Sequence, residues 1–313
     1  MNGNPHSADL GFARHQGLAL VAVLWVVAAL SLLTVGLMHA VQVEVRSVAS
    51  IRESLQAKAA CDAAINMVLK DVLANPEKYL RYQVVQGRFE EDPVAVEVVP
   101  VAGLVNLNLA TVEMLEALFT HAGERPPEEA RSIAQRILDW RDKDDLVRVG
   151  GAENEQYIQA ASPYLARGGP FEAEEDLLQV LGVDYALYGK VRDLVTTDYG
   201  YGGKVSLLGA PPAVLKALLG ADVAAAADYF AAQASGASPE LPPKFAVYFA
   251  SPSAGSFYRL TARVRSPSGQ LWGRRVSVNT SSGNIGKYWN YMREYPMFGE
   301  QAKEVSAELV PAE

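Results

Sequence analysis

The chain has a single cysteine, Cys61, so no intrachain disulfide can form in any compartment. Its 4 histidines leave little for imidazole-based metal or acid–base chemistry, and two of them, His6 and His15, fall at the very start. Basic charge is in deficit, with 28 Lys and Arg against 36 Asp and Glu and a net of -8. Such a balance disfavours a generic nucleic-acid binder. Also lacking are a phosphate-cradling glycine loop ending in Lys-Ser/Thr, a His-Glu-x-x-His pair, a Gly-x-Ser-x-Gly elbow and zinc-spaced Cys/His clusters, so no enzymatic reading is supported. What is present is apolar. Hydrophobic residues make up 50% and charged ones 20% of 313 residues, which excludes a disordered chain and leaves room for two modest domains.

The apolar content is concentrated. Leu18 to Met38 carries no charge, and only Ser31, Thr34 and Gly36 fall outside the apolar set. At 1.5 Å per residue the run reaches ~31 Å, about one hydrocarbon core, and its Leu and Val residues favour insertion by about 5 kcal/mol. A secretory signal would be shorter and would end at a small-residue cleavage site. Here the helical register continues instead through Val41, Val45, Val48, Leu55, Ala59, Ile65, Val68 and Val72, with charges of both signs between. No proline interrupts from Leu18 to Asn75, and Asn75-Pro76 supplies a stop. One helix of roughly 57 residues is predicted, apolar in its first third and amphipathic beyond.

A short polar leader ending in Arg14-His15-Gln16-Gly17, then an apolar helix passing into an amphipathic stem, resembles the type IV pilin-like proteins. The resemblance implies cleavage by a prepilin peptidase between Gly17 and Leu18 and N-methylation of Leu18. Most such proteins have glutamate at mature position five, where this chain has Ala22. That absence is shared by the K-type minor pseudopilins of type II secretion systems (general secretion pathway protein K), thought to cap the pseudopilus. The physical reading agrees: a first subunit has no neighbouring N-terminal amine above it, and an unpaired carboxylate in lipid is costly.

The rest of the chain extends the resemblance. Val94–Val101 alternates as a strand, residues 103–235 read as helical, and residues 236–243 form a Gly/Ser/Pro-rich linker. Three β-rich segments follow, Lys244–Ala250, Ser256–Arg265 and Gln270–Asn279, the second with the alternation of a half-buried strand. The expected fold is therefore α+β: a leader (1–17), a long N-terminal helix (18–75), and a split pilin-like domain (76–102 and 244–313) with a small antiparallel sheet. A large all-helical insertion (103–235) interrupts that domain, as in the K-type pseudopilins. The insertion echoes itself, since Gly103, Val105, Leu107, Ala110, Leu115, Ala117 and Leu118 recur at a fixed offset as Gly203, Val205, Leu207, Ala210, Leu215, Ala217 and Leu218. The run Asn106-Leu-Asn-Leu-Ala110 into a leucine-rich helix resembles the same family and also helix-hairpin-helix DNA-binding modules, as does Leu177–Val183.

A membrane-anchored DNA receptor is thus the rival from another class. Charge argues against it, because residues 171–200 hold seven acids against Lys190 and Arg192. A type IV pilus minor pilin is the rival within the superfamily. A second acidic cluster follows a helix expected over Pro127–Trp140: Asp139, Asp142, Asp144 and Asp145, then Glu153 and Glu155 beyond a Gly-Gly turn. Acids at a helix C-terminus oppose the macrodipole by roughly 0.3–1 kcal/mol each, so compensation is required. Arg141, Lys143 and Arg148 forming a salt-bridged turn is one solution, and a hard cation with oxygen ligands is the other. An EF-hand does not fit, with Leu146 and Val147 at its fifth and sixth positions. The family resemblance implies calcium, with Asp139, Asp142, Asp144, Asp145 and Glu153 as candidates, and Asp193 or Asp198 as possible ligands from a distance. It also implies I- and J-type minor pseudopilins as partners, an inner-membrane anchor with the leader cytoplasmic and the globular part periplasmic, and no nucleic acid. Cys61 reads as a packing residue, and Tyr288, Trp289, Tyr291, Tyr295 and Phe298 as sheet packing or a substrate-facing patch.

Overall fold

The computed structural model describes residues 15–89, 92–198, 202–234, 242–250, 255–266 and 269–280. The linker at 236–241 and the aromatic stretch from Tyr288 to Phe298 lie outside them. Helix α1 spans His15–Ala74. Strands β1 (Gln83–Phe89) and β2 (Asp92–Pro100) follow, then β3 (Val105–Asn106), α2 (Val112–His121), α3 (Pro127–Arg141) and α4 (Asn154–Gln159). Helix α5 (Tyr185–Val191), β4 (Val195–Thr196), β5 (Val205–Ser206), α6 (Pro212–Leu219), α7 (Val223–Ala234) and β6 (Phe249–Ala250) complete the helical region. Strands β7 (Phe257–Arg265) and β8 (Leu271–Asn279) come last.

The chain divides into two compact units, Met1–Gln56 and Ala57–Glu313. In the first, α1 exposes Leu20, Leu24, Trp25, Leu32 and Leu33, and this helix is long and apolar enough to cross a membrane. Ser31 and Thr34 return their hydroxyls to the carbonyls of Val27 and Leu30, at 2.8 Å each, so these polar groups need no partner outside the helix.

The second unit holds a four-stranded antiparallel sheet in the order β1-β2-β7-β8. One face takes the last turns of α1, whose Ala57, Ala60, Cys61, Ile65, Val68, Leu69 and Val72 recur at helical spacing and are buried. They meet Val94, Val96 and Val98, which register opposite Val264, Ala262 and Leu260. Burial pushes the Cys61 thiol up to about 12, so it is a packing group and not a nucleophile. Arg274 on β8 reaches Asp62 at 2.5 Å and ties the stem helix to the far edge of the sheet.

The other face departs from expectation. Alternation along β7 suggests a strand with one wet side, yet Arg259, Thr261 and Arg263 are buried, as are Arg275 and Ser277 on β8. Arg263 pairs within the sheet with Glu97 at 2.9 Å, and the helical insertion meets Arg259 and Arg275. Arg259 donates to Glu174 Oε1 at 3.1 Å, to the Val195 carbonyl at 2.9 Å and to the Asp193 carbonyl at 3.3 Å. Arg275 donates to Asp193 Oδ1 at 2.6 Å and to Thr261 Oγ1 at 3.2 Å. Two arginines of the sheet are thereby neutralised by two acids of the insertion, and the alternation separates two buried faces of different chemistry.

Two further differences concern strands. Gln83–Phe89 is a strand that the sequence pattern misses, because its alternation is broken by Gln86 and Gly87 on an edge with three exposed residues. The segment Lys244–Ala250, expected in the pilin-like sheet, instead gives β6, which pairs in parallel with β5 of the insertion. Phe245 and Phe249 are buried in the insertion's core. The helical insertion thus draws on residues beyond the linker.

The internal echo is structural. In each copy a two-residue strand, a turn and a helix follow one another: β3 and α2 in the first, β5 and α6 in the second. Strand β3 pairs in parallel with β4 as β5 does with β6, and α2 packs on α6. The two glycines that open the copies make reciprocal approaches. A Cβ on Gly103 would stand 2.0 Å from the Gly209 carbonyl oxygen, and one on Gly203 would stand 2.3 Å from that of Leu109. Positions 109 and 209 are equivalent, so the copies face each other about a local two-fold. His121, at the end of α2, is spent in this contact, its Nδ1 lying 2.9 Å from the Ala217 carbonyl.

Arg259→Met leaves the Glu174 carboxylate buried without its partner, and is expected to destabilise the protein by about 3–5 kcal/mol. The double change with Glu174→Leu is expected to recover most of that loss in urea unfolding. If Arg259→Met costs no more than Arg131→Met, which removes a surface pair, the docking role assigned to Arg259 is wrong.

Candidate functional site

The acidic turn after α3 is the most strongly charged cluster that the sequence singles out. Helix α3 begins at Pro126-Pro127 and buries Ala130, Ile133, Ala134 and Ile137. The same face carries Asp139 and Trp140 inward at its last turn. Trp140 stacks on Phe171 and tilts against Tyr157, with centroids 5.9 and 6.0 Å apart. Asp139 is fully buried. Gly151 permits this, since a Cβ there would stand 1.9 Å from Asp139 Oδ2.

Arg148 supplies the local counter-charge. Its Nη1 donates to Asp139 Oδ1 at 2.6 Å and also bonds Asp142 Oδ2, while its backbone N–H reaches Asp139 Oδ2 at 3.2 Å. These two carboxylates hold the guanidinium above its ordinary pKa. Arg141, which the sequence offers for the same task, is used elsewhere. It turns away to the carbonyls of Leu107 and Ala110, at 2.5 and 2.8 Å, and so ends the first repeat.

Glu153 is the third member, 5% exposed at the start of α4. Its backbone N–H is satisfied by Gln156 Oε1 at 2.9 Å, but its own Oε1 is buried without a hydrogen-bond partner, as is Asp142 Oδ1. Burial, then the charges of Asp139, Asp142, Asp145 and Asp144, push the Glu153 carboxyl up to about 7. Asp144 and Asp145 are exposed on the rim, Asp144 Oδ1 capping the Leu146 N–H at 3.0 Å. The structure therefore brings Asp139, Asp142 and Glu153 together, with Asp144 and Asp145 close enough to act on them only through their charge. Among the described residues no group of three or more acids, histidines or cysteines is arranged to hold an ion as it stands. One guanidinium nitrogen bridges the two aspartates instead. The two orphaned buried carboxylate oxygens, Asp142 Oδ1 and Glu153 Oε1, are of the donor type that a hard cation takes.

Neither distant acid joins this cluster. Asp193 is taken by Arg275 at the sheet, and the Asp198 carbonyl accepts from Asn106 Nδ2 at 2.6 Å. The Asn-Leu-Asn run is a double staple: Asn108 accepts from Phe171 N–H at 2.7 Å and donates to the Phe171 carbonyl at 3.0 Å. What sequence reasoning misses is the docking set of Glu174, Asp193, Arg259 and Arg275. The only signal for it was an excess of arginine on one strand face beside an excess of acid in the insertion.

Residues 101–197 match the family model described as type II secretion system protein K. The matched stretch runs from the first repeat to β4 and contains every carboxylate of the cluster. Among solved structures, a chain in the crystal structure of the GspK-GspI-GspJ complex from the enterotoxigenic Escherichia coli type 2 secretion system shares the fold. Its TM-score is 0.51 at 17% identity, and the alignment covers 82% of this chain and 100% of that one. No curated protein sequence matches the chain.

The raised Glu153 pKa has a defined sign in stability. Between the usual 4.5 and about 7 the folded chain keeps a proton that the unfolded chain releases, so this contribution is complete below pH 4.5 and is lost as pH rises through 7. The loss is on the order of 3 kcal/mol. In chelator-containing buffer the melting temperature is expected to fall between pH 5 and 7.5, and Glu153→Gln to remove most of that slope. Parallel curves for the two proteins would contradict the assignment.

Proposed function

We propose that this chain acts as a minor pseudopilin at the tip of the type II secretion pseudopilus, initiating or capping the fibre. The observation that carries the proposal is the docking of the insertion on the sheet through Arg259, Arg275, Glu174 and Asp193, inside one compact unit with the stem from Ala57 onward. The insertion is consequently rigid bulk and not a tethered module that could swing aside. A subunit stacked into a fibre shaft would have to accommodate it, whereas a subunit at the end does not. Ala22 fits the same position, since a terminal subunit has no neighbouring amine to neutralise.

In this reading α1 anchors the chain in the inner membrane through residues 18–38, with the leader in the cytoplasm and the second unit in the periplasm. Prepilin peptidase cuts between Gly17 and Leu18. I- and J-type pseudopilins are the partners, a reading supported by the shared fold with a chain of the GspK-GspI-GspJ complex. Calcium is the ion proposed for the acidic turn, held by Asp139, Asp142 and Glu153 with Asp144 or Asp145 from the rim. There it would neutralise buried carboxylates and stiffen the turn between α3 and α4.

Two measurements test the reading. The full chain, co-expressed with its I- and J-type neighbours and purified in detergent, is expected to co-elute with both, and immunogold labelling to mark only fibre ends. Failure to associate, or label spaced along the fibre, contradicts the tip role. Mass spectrometry of the chain from cells with the peptidase is expected to begin at Leu18. An intact Met1 or a cut after residue 38 contradicts processing at Gly17.

A further inference from the structure

We propose that Arg148 is an internal competitor for the cation site, occupying the two aspartates that an incoming divalent ion needs and so setting the affinity of the turn. The proposal rests on the reading of this turn as a calcium site and adds what regulates it. Three observations carry it. A single nitrogen, Arg148 Nη1, bonds both Asp139 Oδ1 and Asp142 Oδ2, which is the bridging position of a cation. Glu153, nine-tenths buried and with Oε1 unpartnered, belongs to the same cluster without touching that guanidinium, so the counter-charge is incomplete. The Arg148 side chain is 36% exposed, whereas Asp139 is 0% exposed. The arginine can therefore leave toward solvent while the aspartate cannot.

The two occupants differ in what they satisfy. A planar guanidinium donates along fixed directions and leaves Asp142 Oδ1 and Glu153 Oε1 without partners. A divalent ion takes oxygens from several directions at once and can draw in both. The chain carries its own weak occupant, which keeps Asp139 from standing unneutralised in the interior. Any ion that binds must first displace it, and the measured affinity is the intrinsic one multiplied by the fraction of molecules in which Arg148 is disengaged.

The test is calcium titration of the full chain in detergent by calorimetry and by Trp140-sensitive fluorescence, at fixed ionic strength, for wild type, Arg148→Gln and Arg148→Lys. Competition predicts that Arg148→Gln lowers the Kd by about tenfold or more, that Arg148→Lys falls between, and that melting temperature without calcium drops in the same order. If wild type binds calcium and Arg148→Gln binds equally or more weakly, Arg148 is a structural support of the site and the competitor role is overturned. If no variant binds calcium, the site itself is overturned, and the competitor role with it. Should Arg148→Gln not fold, the wild-type protein decides through the Arg148 side-chain Nε–H resonance. Saturating calcium is expected to shift it toward the position of a solvated arginine, and a resonance that does not move overturns the proposal.

Discussion

The buried pair between Arg259 on β7 and Glu174 in the insertion is the contact on which the arrangement of the second unit depends. A pilin-like sheet that carries a helix on one face normally leaves the other to water. Here that face is closed by an acidic, helical body that meets it through matched charges. Arg259 is fully used, with a carboxylate and two carbonyls as acceptors, so the desolvation of both ions is offset by satisfied geometry rather than by charge alone. Replacing this patch by apolar residues would hold the two bodies together as well. It would not specify the register between them so closely, because directional acceptors on β4 fix where the guanidinium ends.

The acidity of the chain consequently has two distinct uses. Glu174 and Asp193 are structural counter-ions for the arginines of the sheet, Glu174 buried and Asp193 half-buried. Asp139, Asp142 and Glu153 are concentrated around a single arginine, with carboxylate oxygens left over. The first set holds the insertion against the sheet. The second leaves two buried carboxylate oxygens, Asp142 Oδ1 and Glu153 Oε1, without hydrogen-bond partners.

The repeat within the insertion is the clearest case of pattern becoming geometry. Identical residues at Leu107 and Leu207, Leu115 and Leu215, and Leu118 and Leu218 are core positions of two strand–turn–helix copies, and Gly103 and Gly203 are where each backbone runs against the other copy. Periodicity revealed the copies because burial repeats with the fold. It did not reveal the parallel bridges to β4 and β6, since two-residue strands carry no alternation. Edge strand β1 escaped for a related reason: an edge needs no continuous apolar face. The segment at Lys244–Ala250 read as sheet because Phe245, Val247 and Phe249 alternate, yet that alternation serves the core of the insertion.

By itself, the amino-acid sequence determined the long helix that ends at Ala74, the strands at β2, β7 and β8, the helix over Pro127–Arg141 and the existence of a charged turn after it. These are local matters of hydrophobic period, capping and breakers, legible within a few turns of chain. Only the tertiary structure decided which charges are neutralised by which. Arg259 and Glu174, or Arg275 and Asp193, are separated by some eighty residues. No spacing rule connects them, and an arginine on an alternating strand looks the same whether it faces water or a buried acid. The same holds at the acidic turn, where composition announced an excess of carboxylates and folding chose Arg148 to stand among them while sending Arg141 elsewhere.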